Sequence, residues 1–371
     1  MKKIALMGSG ILSKIFAERA KFLGIESHCF SFNREDIACA YVDYFHEIDI
    51  FDIDTITDIC KKNGIDGVIA TTELTILPAA QIAKNIGVLG NREDVARDIT
   101  NKYLTRDRLS DIDELNQPKY WLTEGTEIPT IDEFPVIVKP IAAGGKRGVA
   151  VINSHEELKV AIDEALSFSK KKGVIIEEYL NEGTEYSVES ISYKGRHYFI
   201  QVTQKDSSGP PRCNELGHHQ PAEIDDKLRK KIEKVLGESY TELGIENGPC
   251  HTEIKIINRR IYLIEINGRP GGDHITYPLT ELSTDYPFVS AIIWAAIGCF
   301  EGHEPKILNN IPAGIFYVTN ETAHLQNVFE NCEEYKWFYH KNKVNEGPST
   351  ITFNDEDGLN YFMYYGEKPM L

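Results

Sequence analysis

The chain has 371 residues, more than one ordinary domain holds, and its 42% hydrophobic and 26% charged content is that of a globular protein. Lys and Arg total 40 against 57 Asp and Glu, a net −17 that argues against a general nucleic-acid or anionic-membrane binder but leaves room for one local basic pocket for phosphates. The N-terminal KKIALMGSG is too short an apolar run for a signal peptide, and PFVSAIIWAAIGCF (287–300) reads as a buried helix rather than a membrane span. Seven scattered cysteines without a CxxC suit a reducing cytoplasm and indicate neither a zinc nor a disulfide framework.

In chain order, IALMG (4–8) predicts a strand, followed by a Gly-Ser-Gly turn and a helical pattern to about Leu23. SHCFSF and GVIAT then read as strands, and IDTITDICKKNG and LPAAQIAKNIG as helices. This alternation predicts a doubly wound unit on a parallel sheet over residues 1–91. A charged bridging helix, REDVARDITNKYLTRDRLSD, leads the segment 92–117. Region 118–185 holds the strands PVIVKP, GVAVI and GVIIEEYL and a helix at 154–171. Region 186–304 opens with the alternating strands TEYSVESISYKG and RHYFIQVTQ and continues through a helix at 226–243, the strands GPCHTEIKII and RIYLIEI, and the buried helix. Residues 305–371, rich in aromatics and threonine, read as a small β-containing subdomain. The fold class expected is α/β with α+β, multidomain.

The stretch CHTEIKIINRRIYLIEINGRPGG carries the chemistry. A hairpin centred on Arg259 puts Glu253 opposite Glu265 and His251 opposite Asn267, because side chains alternate with period two; a slip of one residue would break the pairing. Two carboxylates about 5 Å apart repel by roughly 3 kcal/mol at an effective dielectric of 20, which a hard divalent cation between them relieves. Glu253, Glu265 and Asn267 are thus candidate Mg²⁺ (or Mn²⁺) ligands. Arg269 offers a fork of donors to a phosphoryl or carboxylate group, and Gly271 and Gly272 allow close backbone approach. A phosphate site also predicts lysines and a glycine loop. Lys139 ends a strand just before Gly144, Gly145 and Gly148, a strand-to-strand turn suited to a flap rather than a Walker loop.

Taken in order, Lys102, Lys139 before the glycine flap, IIEEYLNEGTEYSVE, HTEIK and IEINGRPGG resemble the ATP-grasp superfamily over about 170 residues. The preceding parallel unit and the trailing β region extend that resemblance along nearly the whole chain. It implies an N-terminal pre-ATP-grasp domain, then an ATP-grasp fold with a flexible lid, and ATP with Mg²⁺ as cofactors. Lys102, Lys139 and Lys146 would contact the nucleotide; Glu177, Tyr179 and Leu180 would line the adenine pocket and Glu185 the ribose. Within the superfamily the chain is most similar to carboxylate–amine ligases of the L-amino acid ligase group. Glu215 and His218 of CNELGHHQPAEI would then sit near the acceptor, with Arg269 and Gly272 at the activated carboxyl group. The flap departs from the family where a serine is frequent and this chain has Lys146.

The resemblance implies an ADP-forming ligase that joins a small-molecule carboxylate and an amine through an acyl phosphate, often as a homodimer, with Arg269 as catalytic residue. Two other readings compete. One keeps the fold and uses formate, bicarbonate or a purine-pathway substrate. The other, a nicotinamide-dependent oxidoreductase, rests on MGSGILS, where Ser13 stands at the third glycine position of a dinucleotide fingerprint.

Overall fold

The computed structural model describes every residue except 126, 146, 170–172, 212 and 352–357. Strands β1 (Lys3–Met7), β2 (Glu26–Ser31), β3 (Tyr44–Glu47) and β4 (Gly67–Ala70) form a parallel sheet in the order β3-β2-β1-β4. Helix α1 (Ile11–Phe22) links β1 to β2, α2 (Ile53–Asn63) links β3 to β4, and α3 (Ile76–Ile86) follows β4. The expected doubly wound unit is therefore present. Strand β3 is the addition: four residues, YFHE, are too short a run to read as a strand from the sequence alone.

The charged bridge is two helices, α4 (Glu93–Ile99) and α5 (Lys102–Arg108), rather than one. Asn101 breaks it, its side chain accepting from the backbone N–H groups of Tyr103 and Leu104 at 3.1 and 3.3 Å as an N-cap. Lys102 thus opens a helix, and its own N–H donates to the Ile141 carbonyl at 3.0 Å, tying α5 to the flap region. Beyond the short β5 (Leu115–Asn116) come β6 (Tyr120–Thr123), β7 (Val136–Pro140), β8 (Ala150–Ile152) and β9 (Val174–Glu178). These four form an antiparallel sheet ordered β6-β9-β7-β8, with α6 (His155–Phe168) packed on it through Leu158, Ala161, Ile162 and Ala165.

The remaining strands are β10 (Thr184–Tyr193), β11 (Arg196–Ser207), β12 (Glu215–Gln220), β13 (Gly248–Ile257), β14 (Arg260–Asn267), β15 (Ala313–Val318), β16 (Phe338–Asn342) and β17 (Asn360–Tyr365). They make one nine-stranded sheet ordered β16-β17-β15-β12-β11-β10-β13-β14-β5, so the C-terminal strands extend the central sheet. One face buries Val188, Val202, Ile254, Leu263 and Ile266 against α7 (Asp226–Leu243). The stretch read as a buried helix is Phe288–Ala296, in a core shared with the N-terminal unit. Among the described residues no helix is long and apolar enough to cross a membrane.

Candidate functional site

A two-residue turn, Asn258-Arg259, joins β13 to β14, with φ of 49° and 62° at its two residues. Both are left-handed, as a tight hairpin of this hand requires. Next to the turn, Ile257 pairs with Arg260 and Ile254 with Leu263, one residue off the register expected for a hairpin centred on Arg259. A β-bulge then leaves Ile264 unpaired, and beyond it Glu253 faces Glu265 and His251 faces Asn267. The two offsets cancel, so the expected pairing of the acids holds for a reason the centred hairpin did not contain.

The bulge also decides which way Glu265 points. Leu263 belongs to the hydrophobic core, and strict alternation would carry Glu265 into that core as well. The extra residue inverts the parity, so Glu265 lines the cleft while Ile266 returns to the core. On the same face, pairing aligns Glu185 with Lys205 and Lys205 with His218.

This face floors a cleft of about 1050 Å³, roofed by the four-stranded antiparallel sheet and its flap. Lys102, Lys139, Glu177, Tyr179, Leu180, Glu185, Glu215, Glu253, Glu265, Asn267, Arg269 and Gly272 all line it. Lys146 lies outside the described residues. His218 is fully buried, edge-on to Tyr317, and is not part of the lining; among the described residues neither ring nitrogen has a partner. Burial pushes its imidazole down to about 4, so it is neutral at pH 7.

Lys102, Lys139, Lys205 and Arg106 are held by acids of the cleft. Lys102 Nζ lies 2.6 Å from Glu265, 3.3 Å from the Ala143 carbonyl of the flap and 3.8 Å from Glu73. Burial opposes its charge, but Glu265 and Glu73 outweigh burial and hold the ammonium above its ordinary range. Burial and the neighbouring Glu265 raise the carboxyl of Glu73. Glu177 bridges two cations, Arg106 Nε at 2.8 Å and Lys139 Nζ at 2.6 Å. Burial works against ionisation there, yet Arg106 and Lys139 bring the carboxyl down to about 2. Tyr179 OH meets Cys213 Sγ at 3.8 Å, and the Leu180 carbonyl accepts from Lys255 Nζ.

Lys205, almost fully buried, sits among Glu253 at 2.7 Å, Glu215 at 3.1 Å and Glu185 at 3.3 Å. Burial disfavours its charge, and the three carboxylates more than restore it. Oxygens of these acids lie within 4.8 Å of one another, the spacing of a cation site. Glu253 and Glu265 face across the hairpin while each reaches toward a different lysine. An all-oxygen donor set of this kind fits Mg²⁺. The Arg269 Nε is buried without a partner among the described residues, although Nη1 donates to the Pro270 carbonyl at 2.8 Å. An orphaned guanidinium N–H beside the lysines fits an anionic ligand.

Sequence reasoning missed Glu73, Arg106, Glu189 and Lys205. Arg106 follows Lys102 by one helical turn, a spacing that puts both on one face. Glu189 and Lys205 share parity with Glu185 through strand pairing, a signal available once the register is known. The buried Glu189 binds His251 Nδ1 and accepts from the Gly271 N–H and the Thr276 hydroxyl, both at 3.2 Å.

Residues 132–277 match the ATP-grasp domain family. A D-alanine–D-alanine ligase from Flavobacterium johnsoniae is 31% identical over 163 residues, 41% of this chain; the chain spans about half of that relative's length (49%). The structure of an L-amino acid ligase from Bacillus licheniformis superposes with a TM-score of 0.80 at 20% identity, covering 99% of this chain and 94% of the other. An N5-carboxyaminoimidazole synthetase from Staphylococcus aureus, solved with ADP, gives 0.73 at 16% identity over 99% and 94%. At these identities the two structures establish the fold.

Proposed function

Because the chain carries an ATP-grasp domain within a fold of that type along its whole length, we propose that the protein is an ADP-forming carboxylate–amine ligase acting on an amino acid or similar small carboxylic acid. The observation that carries this reading is the facing pair Glu253 and Glu265, with Asn267 on the same strand face, in one cleft with Lys102, Lys139 and Arg269. Such a set handles a polyphosphate and its metal together.

In this reading Glu253, Glu265 and Asn267 hold Mg²⁺, which when bound neutralises charge on the transferring phosphoryl group. Lys102 and Lys139 orient the phosphates, and the cleft wall at Tyr179, Leu180 and Glu185 receives adenine and ribose. The substrate carboxylate attacks the γ-phosphate, giving an acyl phosphate and ADP. The amine, positioned near Glu215, then attacks the acyl carbon and phosphate leaves. Arg269, with the backbone amides near Gly272, steadies the oxyanion of the tetrahedral intermediate. The glycine flap closes over the acyl phosphate and excludes water. His218, neutral and buried, supports the acceptor wall from behind rather than touching the amine.

The test is ADP and phosphate release with Mg²⁺-ATP across a panel of amino-acid pairs, dipeptides and small carboxylic acids, with bicarbonate, formate and a phosphoribosyl amine included. Release that requires both a carboxylate and an amine is expected. Release that instead requires bicarbonate, formate or a phosphoribosyl amine would move the acceptor to another chemistry on the same fold. ATP bound but no release with any of these would refute the ligase reading.

A further inference from the structure

The β-bulge at Ile264 raises a question of its own support. A bulge frees a backbone carbonyl that a regular ladder would have engaged, and a buried carbonyl needs a donor. Here the donor is Arg106 Nη2, 2.8 Å from the Ile264 oxygen. The same guanidinium gives Nε to Glu177, whose other oxygen binds Lys139 at the end of β7. Arg106 and Glu177 are 1% and 2% exposed, so no solvent can replace either partner.

We propose that Arg106 is a positioning residue for the metal pair: by holding the Ile264 carbonyl it keeps the bulge where Glu265 faces Glu253. With the bulge at Ile264, Leu263 is in the core and Glu265 in the cleft; were the bulge to move toward Asn267, Glu265 would share the core face with Leu263. A bulge can migrate along a strand where nothing marks one residue, and Arg106 marks Ile264. Because Arg106 follows Lys102 by one turn of α5, and Lys102 holds Glu265 itself, the helix grips the strand at two successive residues, one by its carbonyl and one by its carboxylate. Through Glu177 the grip also reaches Lys139, so the lysine and the metal pair share one rigid support.

This inference rests on reading Glu253 and Glu265 as metal ligands, and the experiment separates the two claims. Mn²⁺ is titrated by electron paramagnetic resonance into the full-length protein at saturating nonhydrolysable ATP analogue, and metal-free analogue binding is measured in parallel. If the unaltered protein binds no Mn²⁺ with the analogue, the metal reading itself fails. If it does, Arg106→Met is expected to weaken Mn²⁺ at least tenfold at analogue concentrations that the parallel measurement shows to be saturating for the variant. Deleting Ile264 removes the extra residue and lets a regular ladder pair Glu253 with Glu265 directly. The deletion combined with Arg106→Met is therefore expected to bring Mn²⁺ affinity back to within threefold of the unaltered protein, a rescue that general destabilisation does not produce. The double variant remains informative even where Arg106→Met alone does not fold. Unchanged Mn²⁺ affinity in Arg106→Met, or no rescue in the double variant, overturns the proposal.

Discussion

Replacing Lys205 with methionine keeps most of the apolar stem and removes the one charge that, among the described residues, contacts Glu185, Glu215 and Glu253 together. Their oxygens stand within 4.8 Å of one another, so each pair of carboxylates repels by about 3 kcal/mol at an effective dielectric of 20. Removing one partner from a buried ion cluster costs about 3–5 kcal/mol. The trio then relieves itself by taking up a proton or a cation. A divalent ion at about 100 times its dissociation constant returns about 2.7 kcal/mol through binding to the folded state. Thermal unfolding with and without Mg²⁺ or Mn²⁺, and without nucleotide, measures this directly. The variant is expected to melt lower than the unaltered protein and to recover part of the difference on adding metal, whereas the unaltered protein responds little. A variant that melts lower and gains nothing from metal at neutral or mildly acid pH would refute the account of Lys205 as the resident cation of this centre.

Three further outcomes follow from the same geometry. Glu265→Gln and Arg269→Ala are each expected to abolish ADP release while leaving the far-ultraviolet dichroism unchanged; normal turnover in either removes the site assignment. Glu177, held down at about 2 by Arg106 and Lys139 against an ordinary 4.5, contributes stability that is complete above the unfolded value and is lost as pH falls from about 4.5 toward 2. That contribution is about 3 kcal/mol, so the stability gap between the unaltered protein and Glu177→Gln should narrow across that window in denaturant titrations; a gap that stays constant there would contradict it. Gly271→Ala would place a methyl carbon 2.6 Å from His251 Nδ1 and 2.9 Å from Glu189 Oε1, both fixed by their mutual bond. A loss of about 1–3 kcal/mol is expected from such overpacking, together with weaker metal binding, readable in the same denaturant and Mn²⁺ titrations.

The parts of this site that were legible in the sequence are those whose signal is local. An acid inside an apolar strand, followed by Asn, Arg and paired glycines, marks Glu265, Asn267 and Arg269 because each neighbour argues about the next. The pairing of Glu253 with Glu265 is readable by parity from a turn centred on Arg259, whereas in the structure a tighter turn and a bulge together produce it. Nothing in YLIEI tells Ile264 apart from its neighbours; what distinguishes it is the guanidinium of Arg106, 158 residues earlier. The same distance hid Lys205 and Glu73, which read as ordinary members of a strand and a loop until the sheet and the N-terminal unit bring them to the cleft. In the bridge, Asn101 carried an N-cap signal that a continuous charged helix overlooked, and that cap is what sets Lys102 at a helix start.

The ion pairs themselves suggest how a chain of net charge −17 can receive a polyanion. Three lysines of the cleft are not bare: Lys102 rests on Glu265, Lys139 on Glu177 and Lys205 on Glu253. In the proposed site, a metal–nucleotide complex offers Glu253 and Glu265 a divalent ion in place of their lysines, and offers Lys102 phosphate oxygens in place of a carboxylate. Each group exchanges one charged partner for another, so little of the desolvation cost of a buried charge has to be met anew on binding. Free ATP would satisfy the lysine but leave the two acids beside added negative charge; free metal would satisfy the acids but strand the lysines. Binding of metal and nucleotide is therefore expected to be mutually reinforcing, each raising the other's affinity by the same factor. Titrating ATP at several fixed Mg²⁺ concentrations tests this: independent affinities would show that the pairs seen here are structural and do not open to the ligand.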